Sequence, residues 1–291
     1  MKMIKTIPEI QAEIRKQREQ GQARTIGFVP TMGALHQGHL SLVQACREEN
    51  DVTVVSIFVN PAQFGPNEDF EKYPRDFQTD ESMLKELGVD LIFYPAKDEI
   101  YPPGYSTYVE VEKLGQVLCG KSRPTHFKGV ATVVLKLFNI IKPDRAYFGR
   151  KDAQQAVIIK RMAAELNLDV TIKALPIVRD PDGLALSSRN VYLSPAERGA
   201  ALHLPRALMR AQERIQAGLK DAAEIKAGIE TELRKSPLLT VDYVEVATLD
   251  GLEPFPGSPG GQLIASNNTL VAAAVKVGKT RLIDNFILGE I

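Results

Sequence analysis

The run Asp51-Val52-Thr53-Val54-Val55-Ser56-Ile57-Phe58-Val59 constrains the fold more than any other stretch of the chain. It is almost wholly apolar or β-branched and lacks the alternation of a half-exposed strand. A strand of that kind is covered on both faces, the habit of a parallel sheet with helices on each side. Its neighbours repeat the theme. Residues 25–29 read as a short apolar strand, and residues 40–50 carry apolar side chains at helical spacing. Helices are predicted over 7–20, closed by Gly21, then up to about Leu87, over 126–141 and over 151–166. Strands are predicted within 88–95 and over 108–111, 144–149 and 169–175. This alternation of strand and helix predicts an α/β fold, a Rossmann-like parallel sheet wrapped by helices. Right-handed crossovers then bring the polar turns at 30–39, 60–65 and 149–152 to one edge of the sheet.

The texture changes near Arg179-Asp180-Pro181-Asp182-Gly183. Ser194-Pro195-Ala196-Glu197 has a capping serine, a proline at the first helical position and an acid in the first turn. Helices are expected over 195–217 and 221–235 and a strand over 239–248. Two more strands, 270–277 and 280–287, are joined by the hairpin signal Gly278-Lys279. Residues 254–261, rich in proline and glycine, read as a loop. The expected division is a Rossmann-like domain over 1–180 and a smaller α+β C-terminal domain over 181–291 that covers the site. A chain of 291 residues is long enough for both.

Lys plus Arg equals Asp plus Glu, 36 of each, which argues against a nucleic-acid partner bound by overall charge. No apolar run approaches the roughly 20 residues of a membrane span, and no membrane partner is expected. Met1 to Pro8 lacks the apolar core of a signal peptide. Cys46 and Cys119 have no metal-type spacing and fit free thiols in a reducing compartment. A cytoplasmic location is the expectation.

The chemistry gathers at the strand-to-helix turn Pro30-Thr31-Met32-Gly33-Ala34-Leu35-His36-Gln37-Gly38-His39. It holds two of the four histidines, three residues apart. A helix N-terminus offers free N–H groups and a partial positive charge to an anion. Gly33 and Gly38 stand where backbone can come close to a ligand. Lys151, in Gly149-Arg150-Lys151-Asp152, opens a second helix. Ser187-Ser188-Arg189-Asn190 sets two hydroxyls beside a guanidinium, a set suited to phosphate oxygens. Asn60, Gln63 and Gln155 are neutral amides at predicted strand ends that can donate to a carboxylate. Each has a bland counterpart when taken alone: a structural histidine, a solvated lysine, a helix cap, a surface amide. The dinucleotide fingerprint, the P-loop, the nucleophile elbow and zinc spacings are all absent.

His-x-Gly-His opening a helix, with a later Ser/Lys/Arg phosphate loop, resembles the nucleotidyltransferase superfamily. More specifically, residues 30–42 resemble the pantoate–β-alanine ligase (pantothenate synthetase) family. So do Phe58-Val59-Asn60-Pro61-Ala62-Gln63-Phe64, Tyr73-Pro74-Arg75, residues 126–134, Lys151-Asp152-Ala153-Gln154-Gln155 and Ser187-Ser188-Arg189-Asn190, in the family's order. Arg150 stands where that family usually has glutamate, and Leu186 where it often has methionine. The resemblance implies that ATP joins pantoate to β-alanine through a pantoyl adenylate, releasing pyrophosphate and AMP. It implies His36, His39 and Lys151 as catalytic. It implies Met32, Gly33, His36, Gly38, His39, Gly149, Lys151, Asp152, Val178, Leu186, Ser187, Ser188 and Arg189 as the ATP site. Thr31, Asn60, Gln63 and Gln155 would contact pantoate and β-alanine. Mg2+ would arrive on the ATP phosphates, with no protein ligand named, and the family is commonly dimeric. Residues 67–80, with Tyr73, are the expected lid. No carboxylate in the matched motifs is an obvious base for the β-alanine amine. The alternatives at this point are another small-molecule adenylyltransferase, or a nucleotide-binding regulator without catalysis.

Overall fold

The first sheet is built from six strands, all parallel, in the order β1-β4-β3-β2-β5-β6: Lys2–Ile4, Ile26–Thr31, Val52–Ile57, Leu91–Phe93, Arg145–Gly149 and Thr171–Leu175 for β1 to β6. The structure is a computed structural model and describes residues 1–19, 24–66, 68–255, 264 and 267–291. The predicted helix stop at Gly21, the first lid residue Asn67 and most of the 254–261 loop lie outside the described residues. Strand β3 is buried at every position, as its composition demands. Val52 and Val54 face one core with α1 (Ile7–Glu19), α6 (His126–Ile141) and α7 (Ala153–Glu165). Val55 and Ile57 face another with α2 (Gln37–Glu49) and α3 (Phe77–Glu86). Alternate side chains of one strand thus feed two cores, and the apolar run follows directly from that. The one-turn helices α4 (Lys97–Ile100) and α5 (Cys119–Ser122) interrupt the otherwise irregular stretch before α6.

Three expectations need correction. Strand β1 was not expected: three residues are too few to show a period, and β1 exists because β4 offers it an edge. Residues 108–111 are not a strand. Val109 N–H donates to the Thr132 hydroxyl of α6 at 2.9 Å, so a side chain replaces the missing strand partner. The helix expected over 195–217 is two, α8 (Pro195–Ala201) and α9 (His203–Gln216). Pro205 cannot donate to the Ala201 carbonyl, and the axis breaks there.

A second, three-stranded antiparallel sheet holds β7 (Leu239–Thr248), β8 (Asn268–Val277) and β9 (Thr280–Gly289). Val271, Ala273, Val275 and Val277 of β8 face α8, α9 and α10 (Ala222–Leu233). Leu270 and Ala272, on its other face, meet Val157 and Ile158 of α7. Both faces of the small sheet are therefore buried, one of them against the first sheet's own helix. Among the described residues, no helix is long and apolar enough to cross a membrane.

Candidate active site

Chain order and sheet order diverge at β2. The chain moves from β2 to β3 on one side, and later to β5 on the other. The crevice beyond the ends of β2 and β5 is the switch point where such sheets take ligands. The 32–39 turn leaves β2 there, and the 150–152 turn leaves β5.

His36 caps α2, and the two histidines cap one another's backbone. Gly38 N–H donates to His36 Nδ1 at 3.2 Å, and His36 N–H donates to His39 Nδ1 at 3.4 Å. Because both Nδ1 atoms accept, each neutral ring carries its proton on Nε2. The rings lie tilted by 31° to one another with centroids 4.1 Å apart. A Cβ on Gly38 would fall 2.9 Å from the His36 ring, so this glycine makes room for an imidazole. Burial, then the charge of Lys151, holds His36 at a pKa of about 4. Burial, then His36 and Lys151, holds His39 at about 3. The turn is thus a pair of neutral N–H donors at a helix N-terminus.

The low histidine values predict a pH dependence of stability. The unfolded chain takes up these protons near pH 6.5, the folded chain only near 4 and 3. Acid therefore favours the unfolded chain. The histidine contribution is whole above about pH 6.5 and is lost as pH falls toward 4. The urea midpoint is expected to fall between pH 7.5 and pH 5, and the double variant His36→Gln/His39→Gln to narrow that fall. An equal fall in both proteins would remove the histidines as its source.

Asp80, the last residue of the expected lid, instead lies one turn into α3. Its side chain is buried and accepts from Ala34 N–H at 2.9 Å and Leu35 N–H at 2.7 Å. Gly33 and Ala34 both have positive φ, 78° and 51°. A Cβ at Gly33 would meet Asp80 Oδ2 at 2.8 Å, so glycine and carboxylate fit one another.

Other expected residues divide into those free to act and those committed to the frame. Asn60 is 1% exposed. Its Nδ2 donates to Gln63 Oε1 and Gly129 O, and its Oδ1 accepts from Ala62 N–H and Tyr101 OH. Thr31 Oγ1 donates to Ser56 O and accepts from Gly33 N–H. Gln63 is oriented by Asn60, which leaves its Nε2 against the Met32 thioether at 3.1 Å, a weak acceptor. Gly129 lets α6 press onto this turn, since a Cβ there would lie 2.2 Å from the Ala62 carbonyl.

A cavity of about 1310 Å³ lies between the two sheets' units. Lys151, Asp152, Gln155, Ser187 and Arg189 line it; His36, His39 and Gln63 are not among its lining residues. Lys151 Nζ is 3.7 Å from Asp152. Arg150 turns away and donates to Ala174 O at 3.0 Å, so its charge sits on the β6 side. Leu186 N–H donates to Val178 O, closing a small hairpin that delivers the Ser187 turn; Leu186 Cβ lies 3.8 Å from where a Gly38 Cβ would be. Ser187 Oγ caps that turn by accepting from Arg189 N–H. Arg189 forms a two-pronged pair with Asp69, at 2.8 and 2.9 Å, and Ser188 Oγ lies 3.4 Å from Tyr73 OH. The segment expected to be a lid thus lies against the phosphate-type loop. From β9, Asn285 Nδ2 donates to Arg150 O and Lys151 O, and Asp284 pairs with Arg179 at 2.6 and 2.9 Å. Two adjacent residues of the second sheet so fix both turns, and neither had been expected to. Among the described residues, no cluster of three His, Cys, Asp or Glu side chains could hold a metal.

A doubly wound parallel sheet with a histidine-capped helix N-terminus at its switch point defines a class, the α/β proteins that take an anionic ligand there. The comparisons with known proteins then narrow it. The family model for pantoate–β-alanine ligase matches residues 2–287, and the chain belongs to that family. The pantothenate synthetase of Pelotomaculum thermopropionicum is 53% identical over the full length of both chains. That of Thermotoga petrophila is 54% identical over 99% of this chain and 100% of its own. The crystal structure of pantothenate synthetase from Thermus thermophilus superposes with a TM-score of 0.91 at 43% identity, covering 99% of this chain and 100% of that one. The enzyme from Francisella tularensis, solved in complex with beta-gamma ATP and β-alanine, has a TM-score of 0.77 at 35% identity, covering 99% and 97%. The activity is that of a ligase joining pantoate to β-alanine, and the reading as another adenylyltransferase is set aside.

Proposed function

We propose that the ligation runs through a pantoyl adenylate formed at the β2–β5 crevice. The observation that carries this is the pair of neutral Nε2–H donors at the start of α2, with the Lys151 charge close enough to depress both imidazoles. Pantoate carboxylate is ionised at neutral pH and needs no base. It needs alignment, and donors for the charge that grows on the α-phosphate. His36 and His39 donate there, and Gly33, Gly38 and Met32 shape the approach. Lys151 neutralises charge on the triphosphate, and Ser187, Ser188 and Arg189 receive the departing pyrophosphate. For Arg189 to do so, ATP must displace Asp69. Gly149, Asp152, Val178 and Leu186 border the nucleotide.

Gln63 and Gln155 grip pantoate, with Thr31 and Asn60 as the frame behind them. The weak thioether partner of Gln63 Nε2 supports this, because a carboxylate or hydroxyl oxygen is a better acceptor. Gln63→Ala is expected to raise the KM for pantoate about tenfold, with a smaller change in kcat. An unchanged KM would remove the assignment.

Mg2+ enters with ATP on phosphate oxygens. Glu68 is held by Arg123, and this fits an ion ligated mainly by the nucleotide. The chain divides near residue 180 into an ATP- and pantoate-binding domain and a smaller covering one, and residues 68–75 close over the mixed anhydride to keep water out, while Asp80 stays with the histidine turn. The enzyme is read as a cytoplasmic homodimer. Two buried free thiols support the compartment, and light scattering tests the dimer. The direct test of function is an assay for AMP formation that requires both pantoate and β-alanine. AMP formed without either substrate would contradict it.

A further inference from the structure

The amine step still lacks a proton acceptor. β-Alanine presents an ammonium with a pKa of about 10, and the nitrogen must lose two protons on its way to an amide. The carboxylates nearest the Gln63 turn are poor candidates. Glu68 is locked to Arg123, which against the opposing effect of burial holds its carboxyl below the ordinary range, and Asp69, paired with Arg189 before ATP enters, is lowered in the same way. Asp152 lies beside Lys151.

We propose that His126 is the base: its Nε2 takes a proton from the β-alanine nitrogen as that nitrogen adds to the acyl carbon of the pantoyl adenylate. The proposal rests on the adenylate course set out above. His126 Nδ1 is 2.9 Å from the Gln63 carbonyl oxygen. A carbonyl only accepts, so Nδ1 carries the proton and Nε2 keeps its lone pair. This is the opposite tautomer from that of His36 and His39. Two histidines offer N–H to phosphate, and the third offers a lone pair. His126 opens α6, the helix that Gly129 seats against the 60–63 turn, so its ring is fixed to the residue proposed to hold pantoate. It lines the cavity shared with Lys151 and Gln155.

The groups around it keep the ring neutral. Burial, then the Arg123 guanidinium, lowers its pKa to about 4, against smaller opposing effects of the Gln63 carbonyl, Glu68 and Asp152. A neutral ring does not repel the incoming ammonium. The first proton leaves to solvent, giving the amine. The nitrogen lone pair then forms the C–N bond, the C–O bond to phosphate breaks, and its electron pair departs with AMP. The second proton passes to Nε2 and on to water. A nitrogen bonded to the tetrahedral carbon is far more acidic than free ammonium, so a weak base suffices for that proton.

His126→Asn tests this, because the Asn amide can still donate toward Gln63 while offering no lone-pair nitrogen. Pantoate-dependent exchange of pyrophosphate into ATP, without β-alanine, is expected to stay within about threefold of wild type. Single-turnover transfer from the bound adenylate to β-alanine is expected to slow by about 50-fold or more. Hydroxylamine, whose adduct nitrogen is acidic enough to lose its proton directly to water, should be slowed by less than about fivefold. Transfer to β-alanine near the wild-type rate, equal losses with both nucleophiles, or exchange slowed as much as transfer would each overturn the role. Absence of exchange in the wild-type enzyme would instead overturn the adenylate course.

Discussion

His39→Ala is expected to slow pyrophosphate release from ATP and pantoate by about 100-fold or more, roughly 3 kcal/mol of transition-state stabilisation. The argument is tautomeric. Its Nδ1 faces the His36 amide, so Nε2–H is the outward donor, and a pKa of about 3 keeps the ring neutral throughout the working range. The loss should therefore be nearly flat with pH between about 6 and 8. The substitution also removes half of the reciprocal cap of α2 and costs some stability. His39→Gln separates the two effects, because it keeps a donor. A His39→Ala enzyme within a few-fold of wild type in adenylation would show that the imidazole contributes packing alone.

Lys151→Ala is expected to cost about 100- to 1000-fold in the same half-reaction. The backbone carbonyls of Arg150 and Lys151 both accept from Asn285, so the position of the charge at the β5 turn depends on the second sheet. Removing it also takes away a positive field that depresses both imidazoles. The histidine pKa values should therefore rise in the variant, while burial keeps them below 6.5. Lys151→Arg keeps the charge and should recover part of the rate. Full activity in Lys151→Ala would break the link between the two turns.

Much of this was legible in the chain, and what was not has a common cause. Residues 52–57 carry their own evidence, because burial on both faces leaves no exposed position. The histidine turn was legible because strand, small residues and helix lie in one local run. Asp80 was not, since its partners Ala34 and Leu35 lie about 45 residues away. Asp284 and Asn285 belong to the second sheet and act on the first. His126 stood within a recognisable block, yet its tautomer depends on a carbonyl 63 residues distant. Asn60 could be read as a polar residue at a strand end, but its bonds to the Gly129 carbonyl, the Ala62 amide and Tyr101 could not, because two of those partners lie 41 and 69 residues away.

The central claim is that pantoate attacks the α-phosphate of ATP before the amine acts. Pantoate labelled with heavy oxygen in its carboxylate tests it most directly, by mass spectrometry of the products after complete turnover. The adenylate course predicts one labelled oxygen in AMP, because the acyl C–O bond breaks when β-alanine adds, and none in pyrophosphate. Label in inorganic phosphate with formation of ADP, or AMP without label, would contradict it.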